Sequence, residues 1–414
     1  MYKKRREIFA KQLEKNSVAV LFSGALKKMS ADSNYDFVVN TNFYYLTGIN
    51  QENVILLIIK GAYKIDYFLF MDEADEMMVK WVGRGLSVSE ASLKSEIDFG
   101  CIKGYKQFED VLTSTFISSR RNIYGVIDKV YLDLEKHSFD GEDGLSENLA
   151  KKIKDNFVGI KIMNCYQIIA DMRVYKDQHE IDSIKRAVSI TKLGLDAIMK
   201  TRNALYEYNY VAEYKYVLNS HNTTTSFPTI AASGANATTL HYVTNSNEVK
   251  MGNLILFDLG VKYDMYCSDI TRTYPVSGKF SKRQKEIYEI VLAANKKTIK
   301  WLKPGVSFQE FLAFGKQVLI DGCKKIGLIK EDAEINKYYY HGLGHYLGLD
   351  VHDVGQYNEP FKEGIVITVE PGLYIAEEGI GIRIEDDVLI TKDGCINLSK
   401  DIIKEIDEIE QFMK

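Results

Sequence analysis

The sequence predicts a mixed α/β fold in two domains, and three observations carry that prediction. With 414 residues the chain is longer than one ordinary core organises. Short aliphatic runs alternate with helical patterns along its length. In the second half the strand-like runs are not spaced by the regular helices of a βαβ series, which gives that half an antiparallel flavour.

The first half opens with helix-like residues 3–15, which mix charged and apolar positions, followed by strand-like runs at 18–22, 54–59 and 65–70. Around Tyr166–Tyr175 we expect a short connection, and the domain boundary is expected near residue 170. From Glu180 to Lys200, Ile181, Ile184, Val188, Leu195 and Ile198 recur at helical spacing, which predicts a long amphipathic helix. Ser281 with Gln284 reads as a capping box, as does Ser307 with Glu310 after Pro304-Gly305, so a helix is expected to follow each. Strands are expected at 253–260, 263–274, 364–370 and 381–391, and a loop at Thr223–Thr225.

Bulk properties exclude several functions. Hydrophobic residues make up 46% and charged residues 27%, the mix of a folded globular protein. The net charge is −4 with Lys and Arg scattered, which argues against a surface built to neutralise phosphates. The N-terminal MYKKRREIFAKQLEKN has no apolar segment behind its charge, so no secretory signal is read there. The longest aliphatic run, Val54 to Ile59, is far too short to cross a bilayer. Five widely spaced cysteines without a C-x-x-C pair suggest neither a disulfide framework nor a thiolate zinc site. A cytoplasmic protein is expected.

Four acidic residues stand out because their neighbours are aliphatic. Asp258 ends an apolar run in which residues two apart share a face, and Asp269 follows eleven positions later in CSDITRTYP. Glu370 ends GIVITVE, and Glu385 sits in GIGIRIEDDVLI. Any one of them is best explained as a satisfied or edge carboxylate. Four in one domain, together with a histidine cluster, call for a cation, since a buried unpaired charge is prohibitively costly. That cluster is HGLGHYLGLDVHD, with His341, His345 and His352. Its H-x-x-x-H spacing suggests a zinc-peptidase helix, but two objections stand: Gly342 and Gly344 disfavour a helix, and no glutamate follows His341. Cys267 shares a face with Asp269 and reads as a small buried thiol; His137, His179 and His221 are given no role.

The strings FDLG, SDITRTYPVSGKFS, HGLGHYLGLDVHDVG, ITVEPGLYI and GIGIRIEDD, in that order, resemble the aminopeptidase P (Xaa-Pro aminopeptidase) family of the pita-bread, creatinase-type metallopeptidase superfamily. The likeness continues upstream through TTLHY and MRVYKDQHEI to SADSNYDFVVNTNFYYLTGIN, so it spans essentially the whole chain. It implies a creatinase-like N-terminal domain over 1–170 and a pita-bread catalytic domain over 171–414.

The resemblance further implies two divalent ions on Asp258, Asp269, His345, Glu370 and Glu385. Asp269 and Glu385 would bridge both, Asp258 would chelate one, and His345 with Glu370 would hold the other. Four carboxylates and one imidazole suit Mn²⁺, with Co²⁺, Zn²⁺ or Fe²⁺ as alternatives. Glu370 is implied as proton shuttle, His241 and His352 as substrate contacts that stabilise the tetrahedral intermediate, and His341 as part of the subsite after the cleaved bond. Arg383 and Tyr374 are expected to orient these groups, and Trp81 resembles a tryptophan that reaches a neighbouring subunit's active site. The implied reaction removes an N-terminal residue that precedes proline. The alternatives are a prolidase restricted to Xaa-Pro dipeptides and, less favoured, a non-catalytic peptide-binding protein on the same fold. The long first domain argues against a methionine aminopeptidase, and the intact ligand set against creatinase-like amidino hydrolysis. A homodimer or a dimer of dimers is expected.

Overall fold

The computed structural model describes residues 1–117, 123–136, 138–201 and 204–414, which divide into two units, Met1–Arg173 and Val174–Lys414. Both mix helices and strands, as predicted.

The first unit is built on one six-stranded sheet. Its strands are β1 (Ser17–Phe22), β2 (Ile55–Lys60), β3 (Ile65–Phe70), β4 (Ile102–Lys103), β5 (Lys129–Leu132) and β6 (Lys161–Asn164), in the order β4-β3-β2-β1-β5-β6. β1, β2 and β3 pair antiparallel, while β4, β5 and β6 join parallel. β1 and β2 are buried on both faces, which is why SVAVLF and ILLIIK read as continuous apolar runs rather than alternating ones. One face packs Val18, Val20, Leu57 and Ile59 against Leu112, Leu149 and Ile153 of helices Phe108–Phe116 and Leu145–Asn156. Arg5 and Arg6 of helix Tyr2–Gln12 are buried because their guanidinium groups donate to the Tyr45 and Leu46 carbonyls at the end of helix Thr41–Thr47.

The connection expected at Tyr166–Tyr175 is instead a helix, Tyr166–Val174. Asn164 Oδ1 accepts from the Tyr166 N–H at 2.9 Å and starts it. Near its end Arg173 is buried, donating to Thr41 Oγ1 at 2.9 Å and Asn42 Oδ1 at 2.7 Å. These are tertiary interactions that propensity does not encode.

The second unit carries four short antiparallel sheets and two helix pairs. Its strands are β7 (Thr224–Thr225), β8 (Ile230–Ser233), β9 (Leu254–Leu259), β10 (Val261–Tyr263), β11 (Tyr266–Cys267), β12 (Ile270–Pro275), β13 (Val366–Val369), β14 (Gly372–Ile375), β15 (Ile380–Arg383), β16 (Asp386–Ile390) and β17 (Cys395–Asn397). They form the sheets β12-β9-β8, β11-β10-β7, β13-β16-β17 and β14-β15. Thr224–Thr225, expected as loop, is thus a short strand. The single strand expected over 263–274 is broken by a tight turn in which Asp264 and Met265 both take positive φ, 49° and 67°.

The amphipathic helix runs Gln178–Lys200 and starts at a capping box of Asp177 and Glu180; Ile184, Val188, Leu195 and Ile198 are buried. It packs on helix Glu207–Ser220 so closely that a Cβ on Gly194 would lie 2.4 Å from Tyr214. The other pair, Lys282–Trp301 and Phe308–Lys325, begins at the two capping boxes expected from Ser281/Gln284 and Ser307/Glu310.

A buried ionic network lies under β12 and β16. Arg272 Nη2 donates to Asp386 Oδ1 at 2.7 Å and to the Ile402 carbonyl at 3.2 Å, and Nη1 donates to the Thr271 and Glu385 carbonyls. Lys404 donates to the second Asp386 oxygen and to Asn295 Oδ1. Burial pushes the Asp386 carboxyl up, but Arg272 and Lys404 outweigh it and hold it at about 2. Removing one member of such a network strands the others. Asp386→Ala is therefore expected to cost about 3–5 kcal/mol in urea denaturation; a loss below about 1 kcal/mol would mean that water replaces the missing partner.

Candidate metal centre

Asp258 lies inside β9, the middle strand of its sheet, opposite Ile230 on β8 and Thr271 on β12. The other three acidic residues were expected in strands but stand in gaps between them: Asp269 before β12, Glu370 after β13, Glu385 before β16. Each gap has a cause. The Asp269 N–H is taken by Asp387 Oδ2 at 3.2 Å rather than by a neighbouring strand. Pro371, without an N–H, follows Glu370. The Glu385 N–H reaches across to the Thr271 carbonyl at 3.0 Å. Released from strict alternation, these side chains converge.

The histidine segment is irregular, as its glycines predict. A Cβ on Gly344 would sit 2.1 Å from the Thr368 carbonyl oxygen, so this stretch can lie against β13 only with glycine there. Contact with Thr368 then fixes His345 twice: its N–H donates to Thr368 Oγ1 at 3.0 Å, and its carbonyl accepts the Thr368 N–H at 2.9 Å. His345 Nδ1 donates to the Tyr346 carbonyl at 3.0 Å, which turns the Nε2 lone pair toward Asp269 Oδ2 at 3.4 Å and Glu370 Oε1 at 3.7 Å. Burial, with His352 second, lowers His345 to about 4, so the imidazole is neutral.

Donor atoms of Asp269, His345 and Glu385 all lie within 4.8 Å of one another. Burial first, then Glu385 and Asp258, raises the Asp269 carboxyl well above its ordinary value; burial, then Glu370 and Asp258, does the same for Glu385. Glu370 is pushed up to about 8 by burial, against the opposing Arg383. Asp258 Oδ1 and Asp269 Oδ1 are buried without a hydrogen-bond partner. Lone pairs facing lone pairs, with acceptors unfilled, fit a divalent cation.

Arg383 brings a guanidinium to these side chains. Nη2 donates to Asp258 Oδ2 at 2.5 Å, Nε to Thr271 Oγ1 at 3.0 Å and Nη1 to the Tyr374 hydroxyl at 2.9 Å. Thr271 in turn donates to Glu385 Oε2 at 2.6 Å, so Arg383 meets Asp258 directly and Glu385 through a threonine. Tyr374 donates to His341 Nε2 at 2.8 Å, while His341 Nδ1 lies 2.6 Å from the Gly342 carbonyl and 3.6 Å from Glu370 Oε2. Burial, then Arg383, lowers His341 to about 3. The His352 ring lies 4.0 Å from that of His345, centre to centre. His352 is lowered by burial first and by the charge of His241 second, and His241 itself is exposed on its loop.

Trp81 lies in the first unit, 81% exposed on helix Glu76–Val82. His137 is outside the described residues. His179 and His221 have local partners, Asp264 at 3.0 Å and the Val217 carbonyl at 2.8 Å. Cys267 is a buried thiol, as expected, and all five cysteines are unpaired. Two residues went unnoticed in the sequence, Thr271 and Thr368. Each stands two positions from an acidic residue, so the alternation that found Asp258 could have found them.

The model of metallopeptidase family M24 matches residues 182–392, and that of the aminopeptidase P N-terminal domain matches residues 2–124. The chain belongs to family M24. It is 35% identical to the Xaa-Pro aminopeptidase of Haemophilus influenzae, covering 99% of this chain and 96% of the relative. A presumed aminopeptidase P from Bacillus anthracis superposes with a TM-score of 0.96 at 44% identity, over 100% of this chain and 97% of that one. Escherichia coli aminopeptidase P bound to the inhibitor Pro-Leu gives 0.90 at 32% identity, over the same shares. The E. coli protein is also known zinc-substituted with product, with a TM-score of 0.88. No helix among the described residues is long and apolar enough to cross a membrane.

Because the carboxylates repel one another without a cation, metal should stabilise the fold. Returning Mn²⁺ to chelator-treated protein at a hundredfold excess over Kd should add about 2.7 kcal/mol, a rise of roughly 5–10 °C in Tm. A Tm that does not respond to any divalent ion would remove the metal centre.

Proposed function

We propose that this chain is a two-metal-dependent exopeptidase that hydrolyses the bond between an N-terminal residue and a following proline. One observation carries the reading: in a chain similar over its full length to Xaa-Pro aminopeptidases, the ligand atoms of Asp269, His345 and Glu385 converge, and Asp258 Oδ1 and Asp269 Oδ1 are buried without a hydrogen-bond partner.

Asp258, Asp269, His345, Glu370 and Glu385 would hold the ions, with Mn²⁺ the expected metal and Co²⁺, Zn²⁺ or Fe²⁺ able to occupy the same donors. When bound, such ions polarise the scissile carbonyl and acidify water. The residues of the chain do the rest. Glu370 takes and returns the proton. His241 and His352 contact the substrate and steady the oxyanion as the carbonyl becomes tetrahedral. His341, held neutral and fixed by the Tyr374 hydroxyl, borders the subsite for proline, whose ring and missing N–H must be read by shape. Arg383 orients Asp258, and through Thr271 Glu385. The substrates are peptides with proline second, and the proposal includes a cytoplasmic homodimer or dimer of dimers, with Trp81 reaching the neighbouring subunit.

The test strips metal with chelator, restores Mn²⁺ and compares an Xaa-Pro-Xaa tripeptide, an Xaa-Pro dipeptide and a Met-Ala-Ser peptide. Release of the first residue from the tripeptide is the expected outcome. Cleavage of the dipeptide alone would make the chain a prolidase, and no cleavage with metal bound would make it a binding protein. Glu370→Gln should abolish turnover and weaken metal binding, and near-normal activity would end its assigned role. His241→Ala should keep fold and metal while losing most activity; a collapse of metal content would make that histidine structural instead.

A further inference from the structure

Glu207 begins helix Glu207–Ser220 and is fully buried, although nothing in its sequence context, LYEYNY, singles it out. Its carboxylate accepts five hydrogen bonds, all from the segment that leads into and out of His241. Oε1 accepts from the Ser233 N–H and Oγ, both at 2.8 Å, and from Asn236 Nδ2 at 2.9 Å. Oε2 accepts from the Tyr242 hydroxyl at 2.8 Å and the Asn247 N–H at 3.0 Å. The Glu207 N–H also donates to the Asn247 carbonyl at 3.0 Å. One oxygen therefore holds the incoming limb at the end of β8, and the other holds the outgoing limb.

His241 sits between these limbs, exposed, with Tyr242 beside it. Asn245 adds a tie at the base of the same loop, accepting from the Ala231 N–H at 2.7 Å and donating to the Thr229 carbonyl at 2.8 Å. An exposed histidine on a loop is placed only as well as its loop is. We propose that Glu207 is the positioning residue for His241, clamping both limbs of the loop so that the imidazole faces the centre. The proposal rests on the reading above in that His241 is taken to act on substrate.

The chemistry of the clamp requires a carboxylate. Each oxygen faces a backbone N–H, Ser233 on one side and Asn247 on the other, and neither donor can reverse. A glutamine, in either flip, must point its NH₂ at one of them and lose that limb. An aspartate of the same charge is one methylene short of spanning the two.

Two readouts test this on the manganese-loaded full chain. In Glu207→Gln, amides of residues 234–247 should exchange with solvent about tenfold faster or more, while the segments around Asp269, His345 and Glu385 keep their protection. Unchanged protection over 234–247 would overturn the clamp, and so would a loss spread evenly over the second unit. On an Xaa-Pro-Xaa tripeptide, kcat/KM should fall about ten- to a hundredfold, with metal content unchanged. The double variant Glu207→Gln/His241→Ala should then be no worse than His241→Ala alone, since the clamp has nothing left to position. Independent, multiplying losses would show that Glu207 acts otherwise than through His241. If the wild-type chain cleaves no proline peptide, the proposed activity falls, and exchange alone then decides whether the clamp exists. Should Glu207→Gln not fold, Tyr242→Phe deletes a single bond of the five and carries both readouts with the same signs.

Discussion

Mutual repulsion of buried acids is the constraint around which the second unit is arranged. Asp258, Asp269, Glu370 and Glu385 each raise the energy of at least one other, in a place that water hardly reaches. The surroundings answer that repulsion only in part. Arg383 neutralises one side, Thr271 and Thr368 donate single hydrogen bonds, and His345 presents a lone pair rather than a proton. What is left over is negative and short of donors, and it is this remainder that fits a divalent cation. Asp386, in the nearby ionic network, is the opposite case: one carboxylate oxygen accepts from Arg272 and the other from Lys404. Two kinds of buried acid thus stand side by side, Asp386 with a cation on each oxygen and Glu385 with the Thr271 hydroxyl on one.

Much of this was legible in the sequence where local physics decides. The capping boxes at Ser281 and Ser307 appear as read, because an N-cap is satisfied within four residues of chain. Asp258 was found by alternation, since its strand is paired on both sides and cannot rotate. The glycines at 342 and 344 excluded a helix, and Gly344 is required for close approach to Thr368. The acidic residues themselves were found by type and company, and the family followed from five strings in order.

The rest was not legible because it depends on partners far away in sequence. Asp269 and Glu385 read as strand residues, for no pattern within their own segments announces that Asp387 and Thr271 will take their N–H groups. Helix Tyr166–Val174 looked like a connection because what holds it is Arg173 meeting Thr41 and Asn42. Glu207 was invisible for the same reason: the donors of its five hydrogen bonds lie between 233 and 247.

The scatter of the acidic donors has a topological consequence. Asp258 belongs to one sheet, and Glu370 and Glu385 each stand where the chain passes from one sheet to another. An ion held between them ties together parts of the chain that most of the second unit separates, and so closes a long loop as a disulfide does in a secreted protein. None of these donors is a thiol, so such a tie would be immune to thiol chemistry. The durability of this fold would then follow the supply of divalent ions rather than the redox poise.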